Sequence, residues 1–135
     1  MRNYRVLFVC IGNACRSQMA EAFARAYGSD VMVAQSVGLY PADIVSPTTA
    51  QLMLEKNISL DGRVPKGFDQ TGTNFDLVVN MSGLPLAVTL PVPVRDWKVD
   101  DPIRLSEEQH RAVRDRIESL VQNLILEFRR KRDSR

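Results

Sequence analysis

The chain has 135 residues, a length at which one domain can bury its own core without disulfide or metal staples. At 44% hydrophobic and 25% charged residues it is neither a disordered nor a fibrous sequence. The net charge of +2 is too small to imply a nucleic-acid partner, and the early apolar run Val6 to Cys10 is too short for a signal peptide or membrane span. A single domain over 1–135, cytoplasmic and without a nucleic-acid or membrane partner, is therefore expected.

In chain order, Arg5 to Val9 is a β-branched and aromatic run that stops abruptly at Cys10, as a buried parallel strand entering a loop would. From Ser17 to Tyr27 the apolar residues Met19, Ala20, Phe23, Ala24 and Tyr27 recur at helical spacing, and Gly28 supplies a stop. Val31 to Val37 reads as a second strand, with Gly38 and Pro41 in the following turn. Ser46 and Pro47 start a helix that should run to about Lys56.

Phe75 to Val79 is a third strand, Ser82 to Thr89 a short helix or turn, and Leu90 to Val94 a fourth strand whose prolines point to a sheet edge. Ser106 and Gln109 form a capping box, followed by an apolar stripe of Val113, Ile117, Leu120, Val121, Leu124, Ile125 and Phe128. The basic tail at Arg129, Arg130, Lys131, Arg132 and Arg135 suits the C-terminal pole of that helix. The alternation predicts a three-layer α/β domain, a four-stranded parallel sheet with helices on both faces. Ligands of such sheets bind at the carboxyl ends of the strands, where the loop at Cys10 lies.

That loop carries the chemistry. Cys10 stands at its entrance, Gly12 and Asn13 inside, Cys15, Arg16 and Ser17 at its exit. Consecutive amides turning into a helix N-terminus make an anion-binding concavity, so Ile11, Gly12, Asn13, Ala14, Cys15, Arg16 and Ser17 are candidate oxyanion-binding residues. Gly12 is expected to let the backbone curl where a Cβ would clash, and Asn13 tolerates the left-handed conformation.

Arg16 offers a planar fork for two oxygens of phosphate or arsenate, and its positive field favours the thiolate, the nucleophilic form of cysteine. Ser17 reads either as a helix cap or as a donor to the Cys10 thiolate. The loop lacks the lysine of a nucleotide-binding P-loop, and four residues separate the cysteines where a thioredoxin-type motif has two. With two cysteines and a single histidine, distant in sequence at His110, a four-ligand zinc site is excluded, and no metal or cofactor is expected.

The run Cys-Ile-Gly-Asn-Ala-Cys-Arg-Ser-Gln-Met-Ala-Glu, Cys10 to Glu21, resembles the low-molecular-weight protein tyrosine phosphatases and the arsenate reductases that share their fold. Ser36 to Gly38 with Pro41 and Pro47, and Trp97 ahead of Asp100, Asp101 and Pro102, resemble the reductase branch. The resemblance implies that Cys10 attacks phosphorus, that Arg16 and the loop amides hold the equatorial oxygens, and that an aspartate before proline protonates the leaving oxygen. By motif match that acid is Asp101, with Asp100 the adjacent competitor.

Two departures stand out. Thioredoxin-coupled reductases carry two further cysteines after the third strand, where this chain has Asn80, Met81, Ser82 and Gly83. Typical phosphatases carry an aspartate near Ser82 and aromatic residues after the Asp-Pro pair, where this chain has Ile103 and Arg104.

The main expectation is a cysteine-dependent phosphomonoester hydrolase, acting on a phosphorylated protein or a small ester through a thiophosphate on Cys10. The alternatives are an arsenate reductase resolved by an external thiol or redoxin, and a non-catalytic oxyanion-binding module. Cys15 is either a structural residue under the loop or a redox partner forming a reversible disulfide with Cys10.

Overall fold

The structure, a computed structural model, describes residues 3–86 and 90–134. Four strands, β1 (Tyr4–Cys10), β2 (Met32–Gly38), β3 (Leu77–Asn80) and β4 (Val94–Asp96), form one parallel sheet in the order β2-β1-β3-β4. The central strand β1 is buried on both sides because Val6 to Cys10 are all apolar. Its register sets Cys10 beside Gly38 and Val9 beside Asn80, while Asn80 pairs with Asp96. The carboxyl ends of all four strands therefore share one edge of the sheet.

Val6 and Phe8 point into the larger core, built with Met19 and Phe23 of α1 (Arg16–Tyr27), Met53 of α2 (Pro47–Leu54) and Ile117, Val121 and Phe128 of α3 (Glu107–Asp133). Leu7, Val9, Val37 and Val78 face the other way, against Phe75, Leu39, Leu86, Leu90, Val92 and Phe68 of a 3-10 turn at Phe68–Gln70. The expected layers are present, but among the described residues the second is thin, with α1, α2 and α3 on the first. The connections that cover the second face hold Gly62, Pro65, Gly67, Gly72, Pro85, Pro91 and Pro93, which break helices.

Several boundaries move for local reasons. β4 begins only at Val94, because Pro91 and Pro93 have no N–H to donate; the carbonyl of Pro93 still accepts from the amide of Val78 at 3.0 Å. β3 starts at Leu77 because Asp76 intervenes, its carboxylate accepting the Arg5 amide at 2.8 Å. α2 stops at Leu54, two residues early, and the chain then turns through Asn57 at φ 61°.

Ser82 to Leu84 form a bend and Pro85 and Leu86 are irregular, while the rest of the expected element, 87–89, lies outside the described residues. The Ser106–Gln109 capping box is present in both directions, at 3.1 and 3.0 Å. Gly28 ends α1 without a left-handed turn, at φ −132°. Its role is space: a Cβ there would meet Ile125 of α3 at 2.6 Å.

Candidate active site

The loop between β1 and α1 is held from outside. The carbonyls of Cys10, Ile11, Gly12 and Ala14 accept from the amides of Leu39, Tyr40, Ala42 and Ser46, at 2.8 to 3.0 Å. With the carbonyls turned outward, the amides of residues 12–15 have no backbone carbonyl partner among the described residues. These amides are thus left unpaired by backbone carbonyls, and α1 starts directly behind them.

One expectation about this loop is corrected. A Cβ on Gly12 would find only ordinary contacts, 3.6 Å to Ala42 and 3.9 Å to Ala14. The tight approach lies across the sheet edge at Gly38, where a Cβ would sit 2.7 Å from backbone atoms of Gly12 and Asn13. Glycine is thus required opposite the loop, because β2 ends level with Cys10 and the loop folds back over it.

Asn13 takes the left-handed conformation, φ 53°, and is fully buried. Its Oδ1 accepts from the backbone amide of Lys66 at 2.9 Å and from Gln18 at 3.0 Å. A backbone amide can only donate, so the side-chain orientation is fixed, and Nδ2 donates to Ser17 at 2.7 Å and Ser36 at 2.9 Å.

The Ser17 hydroxyl, which accepts from Asn13, stands 2.8 Å from the Cys10 sulfur, a contact in which either atom can donate, and 3.4 Å from the carbonyl of Val37, to which it can donate instead. The Ser17 amide also points at that sulfur, at 3.4 Å. Of the two readings of Ser17, the helix cap is not realised, since the N-cap position of α1 is occupied by Cys15.

The same network continues inward. Ser36 donates to Glu21 at 2.6 Å, and Glu21, only 1% exposed, is surrounded by Arg63 at 2.5 Å, Arg25 at 2.9 Å and the more distant Lys66 at 3.9 Å. A buried carboxylate survives only with such partners.

Arg16 is 4% exposed and ties three strand-end loops together. Its Nη1 donates to the carbonyl of Met81, after β3, and to that of Val99 at 3.0 Å, while Nη2 lies 3.5 Å from Oδ2 of Asp101. Part of the expected clamp is therefore committed to the protein. Asp101 also caps the 3-10 turn Pro102–Arg104 through the amide of Ile103, at 3.2 Å. Asp100 lies instead beside Lys98, Gln109 and Arg116, in a separate surface hollow. Cys10 thus contacts Ser17 and Arg16 contacts Asp101, while Asp100 lines a different hollow.

His110, distant in sequence, packs against α2. Its Nε2 stands 2.8 Å from Oγ1 of Thr49, both residues buried, and the hydroxyls of Thr49 and Ser46 favour the ionised form of the Cys15 thiol. Burial pushes the Cys15 thiol above its ordinary range, against the pull of those hydroxyls. Burial and the Arg114 charge push the His110 imidazole down, with Asp101 opposing. Among the described residues no group of three His, Cys, Asp or Glu side chains could hold a metal ion.

Glu21, Ser36, Thr49 and His110 were not singled out from the sequence. The one available signal was a polar residue at an inward position of an apolar element, as Ser36 is in β2 and Glu21 in α1.

The comparisons with known proteins bear on the same residues. Residues 5–88 match the family model of the low molecular weight phosphotyrosine protein phosphatases. The glutaredoxin arsenate reductase of Synechocystis sp. is 34% identical over 90% of this chain and 95% of its own. The arsenate reductase of Bacillus subtilis is 33% identical over 95% and 96%. A solved arsenate reductase in its phosphate-binding state superposes with a TM-score of 0.81 at 33% identity, covering 93% of this chain and 98% of that one.

With a family match that takes in β1, the loop, α1, β2, α2 and β3, and relatives of this identity along nearly the whole chain, the protein belongs to the low molecular weight phosphotyrosine protein phosphatase family.

Proposed function

We propose that this protein is an arsenate reductase in which Cys10 is the nucleophile, Arg16 and the loop amides hold the oxyanion, Asp101 supplies the proton, and an external thiol or redoxin supplies the electrons. The observation that carries the reading is the length and identity of the match to arsenate reductases, one of them named for glutaredoxin. The Cys10 thiolate attacks arsenic and an arsenic–oxygen bond breaks, its oxygen leaving as water with a proton from Asp101. Thiol attack on the Cys10 sulfur then breaks the sulfur–arsenic bond, whose electron pair stays on arsenic as arsenite leaves. Two thiols are oxidised to one disulfide in the process. The reductant has to come from outside, since Asn80, Met81, Ser82 and Gly83 offer no thiol at the end of β3.

A second reading uses the same atoms. The family model is that of phosphatases, and one thiolate, one arginine and one aspartate suffice to hydrolyse a phosphomonoester. Expected first as the main activity, it now stands second. The test is a comparison on one purified sample: arsenite release with glutathione plus glutaredoxin, or with thioredoxin, against hydrolysis of an aryl phosphate. Thiol-dependent arsenite release above the ester turnover supports the first reading. Ester hydrolysis without arsenite release favours the second, and oxyanion binding without turnover of either makes the protein a binding module.

A further inference from the structure

A hollow of about 290 Å³ lies between the segment that follows β4 and the first turns of α3. Lys98, Asp100, Leu105, Gln109, Val113 and Arg116 line it. Gln109, Val113 and Arg116 recur at helical spacing, so one face of α3 forms a side of the hollow. Leu105 and Val113 supply its apolar wall.

The charges in this hollow differ from those elsewhere on the helix. Arg111, Arg114, Arg129 and Arg132 of α3 all meet carboxylates, at 2.6 to 3.0 Å. Lys98, Asp100 and Arg116 form no ion pair among the described residues, with one another or with a neighbour. Arg116 donates through Nε to the carbonyl of Lys98 at 3.0 Å, which steadies the guanidinium and leaves both Nη groups without a partner among the described residues. Two cations and one carboxylate thus line one concave surface unpaired.

The segment 98–101 has a second side. Lys98 and Asp100 face the hollow, while Val99 is buried and its carbonyl accepts from Arg16 at 3.0 Å. Asp101, next in the chain, lies 3.5 Å from the Arg16 guanidinium. A ligand paired with Asp100 is therefore one residue from the contacts of Arg16.

We propose that the hollow binds a small peptide thiol of the glutathione class, as the docking site of the reductant. In that use it rests on the arsenate reading above, and the bound peptide supplies the thiol for the step written there. At neutral pH glutathione carries two carboxylates and one ammonium, the inverse of the charges in the hollow. One carboxylate pairs with Lys98 and the other with the Nη edge of Arg116, a planar fork suited to two oxygens, while the ammonium pairs with Asp100. The methylenes of the γ-glutamyl arm lie against Leu105 and Val113. An inorganic oxyanion has no ammonium and would meet Asp100 as a like charge.

Binding is testable apart from turnover with S-methylglutathione, whose thiol is blocked. It is titrated into isotope-labelled protein and followed by amide NMR, with excess inorganic phosphate present to occupy the oxyanion loop. Saturable shifts are expected over residues 98–105 and 109–116. Lys98→Gln and Arg116→Gln should each weaken binding by roughly 2- to 5-fold, the range of an exposed ion pair, and the double variant by roughly 10-fold. The S-methyl des-amino analogue, which lacks only the ammonium, should bind wild type roughly 2- to 5-fold more weakly than S-methylglutathione, and Asp100→Asn should bind the two alike. No saturable shift, shifts confined to the loop from Cys10 to Ser17, or equal affinity of wild type and the double variant overturns the site.

Under turnover with arsenate, the double variant should need roughly 10-fold more glutathione for half-maximal rate, with maximal turnover and the KM for arsenate within about two-fold of wild type. An unchanged glutathione requirement overturns the use of the hollow in reduction. Binding at the hollow with no arsenite release from wild type with any thiol overturns the arsenate reading and leaves the site standing.

Discussion

The sulfur of Cys10 and the hydroxyl of Ser17 stand 2.8 Å apart, and Asn13, donating to Ser17 at 2.7 Å, holds that oxygen where its hydrogen can be given to a Cys10 thiolate. A thiolate that must form, bond and leave again gains from a donor fixed in this way. A hydrogen bond to a charged group is worth about 1.5 to 3 kcal/mol, so Ser17→Ala should lower turnover by roughly 10- to 100-fold. Steady-state kinetics on the activity found in the wild type measure it, and turnover within about two-fold of wild type would remove Ser17 from the mechanism.

Asn13 should be the most costly single residue of the loop to remove. Its side chain makes four hydrogen bonds, three of them buried, at 2.7, 2.9, 2.9 and 3.0 Å. At about 1 kcal/mol each, Asn13→Ala should lose about 4 kcal/mol, plus about 1 kcal/mol for alanine at positive φ. Asn13→Gly loses the bonds but escapes the backbone penalty. Urea midpoints of the two variants should therefore differ by about 1 kcal/mol in stability, with glycine the higher.

The two glycines beside the loop should behave differently. Gly38→Ala sets a Cβ 2.7 Å from backbone atoms that cannot rotate away and should cost about 1 to 3 kcal/mol while displacing the loop. Gly12→Ala meets nothing closer than 3.6 Å and should be nearly neutral in stability. Thermal melts of both variants, with turnover alongside, check the order.

Asp101→Asn should lower turnover by roughly 100-fold, the low end for a lost general acid, and Asp100→Asn should change it by less than about two-fold. Asp101 faces Arg16 at 3.5 Å, whereas Asp100 lies in the hollow beside Lys98 and Arg116. Equal effects of the two substitutions would return the assignment to the open choice that the sequence left.

Acid should weaken the fold through a few named carboxylates. Hydrogen bonds from Arg95 hold Glu127 at about 2, and those from Arg111 and Arg114 hold Glu55 at about 2, both from an ordinary value of 4.5. A folded-state value below the unfolded one means that the unfolded chain binds more protons. The stabilisation is therefore present above 4.5 and is lost as pH falls toward about 2. Urea midpoints of wild type should fall more steeply over that window than those of Glu127→Gln, and salt should narrow the gap.

The sequence carried much of this account, for identifiable reasons. Strand β1 and helix α3 were legible because their apolar residues follow a clear pattern, and the loop because cysteine, asparagine, arginine and serine stand at spacings with a chemical meaning. β4 was misplaced because composition ranks Leu90 to Val94 as strand while the missing N–H of two prolines forbids pairing until Val94. The glycine requirement was assigned to Gly12 because the packing partner across the sheet edge, Gly38, is set by register, which no local pattern reveals. His110 was set aside for a similar reason: it meets Thr49 only after α2 and α3 have packed on each other.

Arsenite production by the purified protein with arsenate and a glutathione–glutaredoxin or thioredoxin system tests the role of Cys10 at first hand. A single-thiolate oxyanion site predicts release that saturates with arsenate, is competed by phosphate and disappears in Cys10→Ser. Release that persists in Cys10→Ser, or none from wild type with either thiol system, would contradict it.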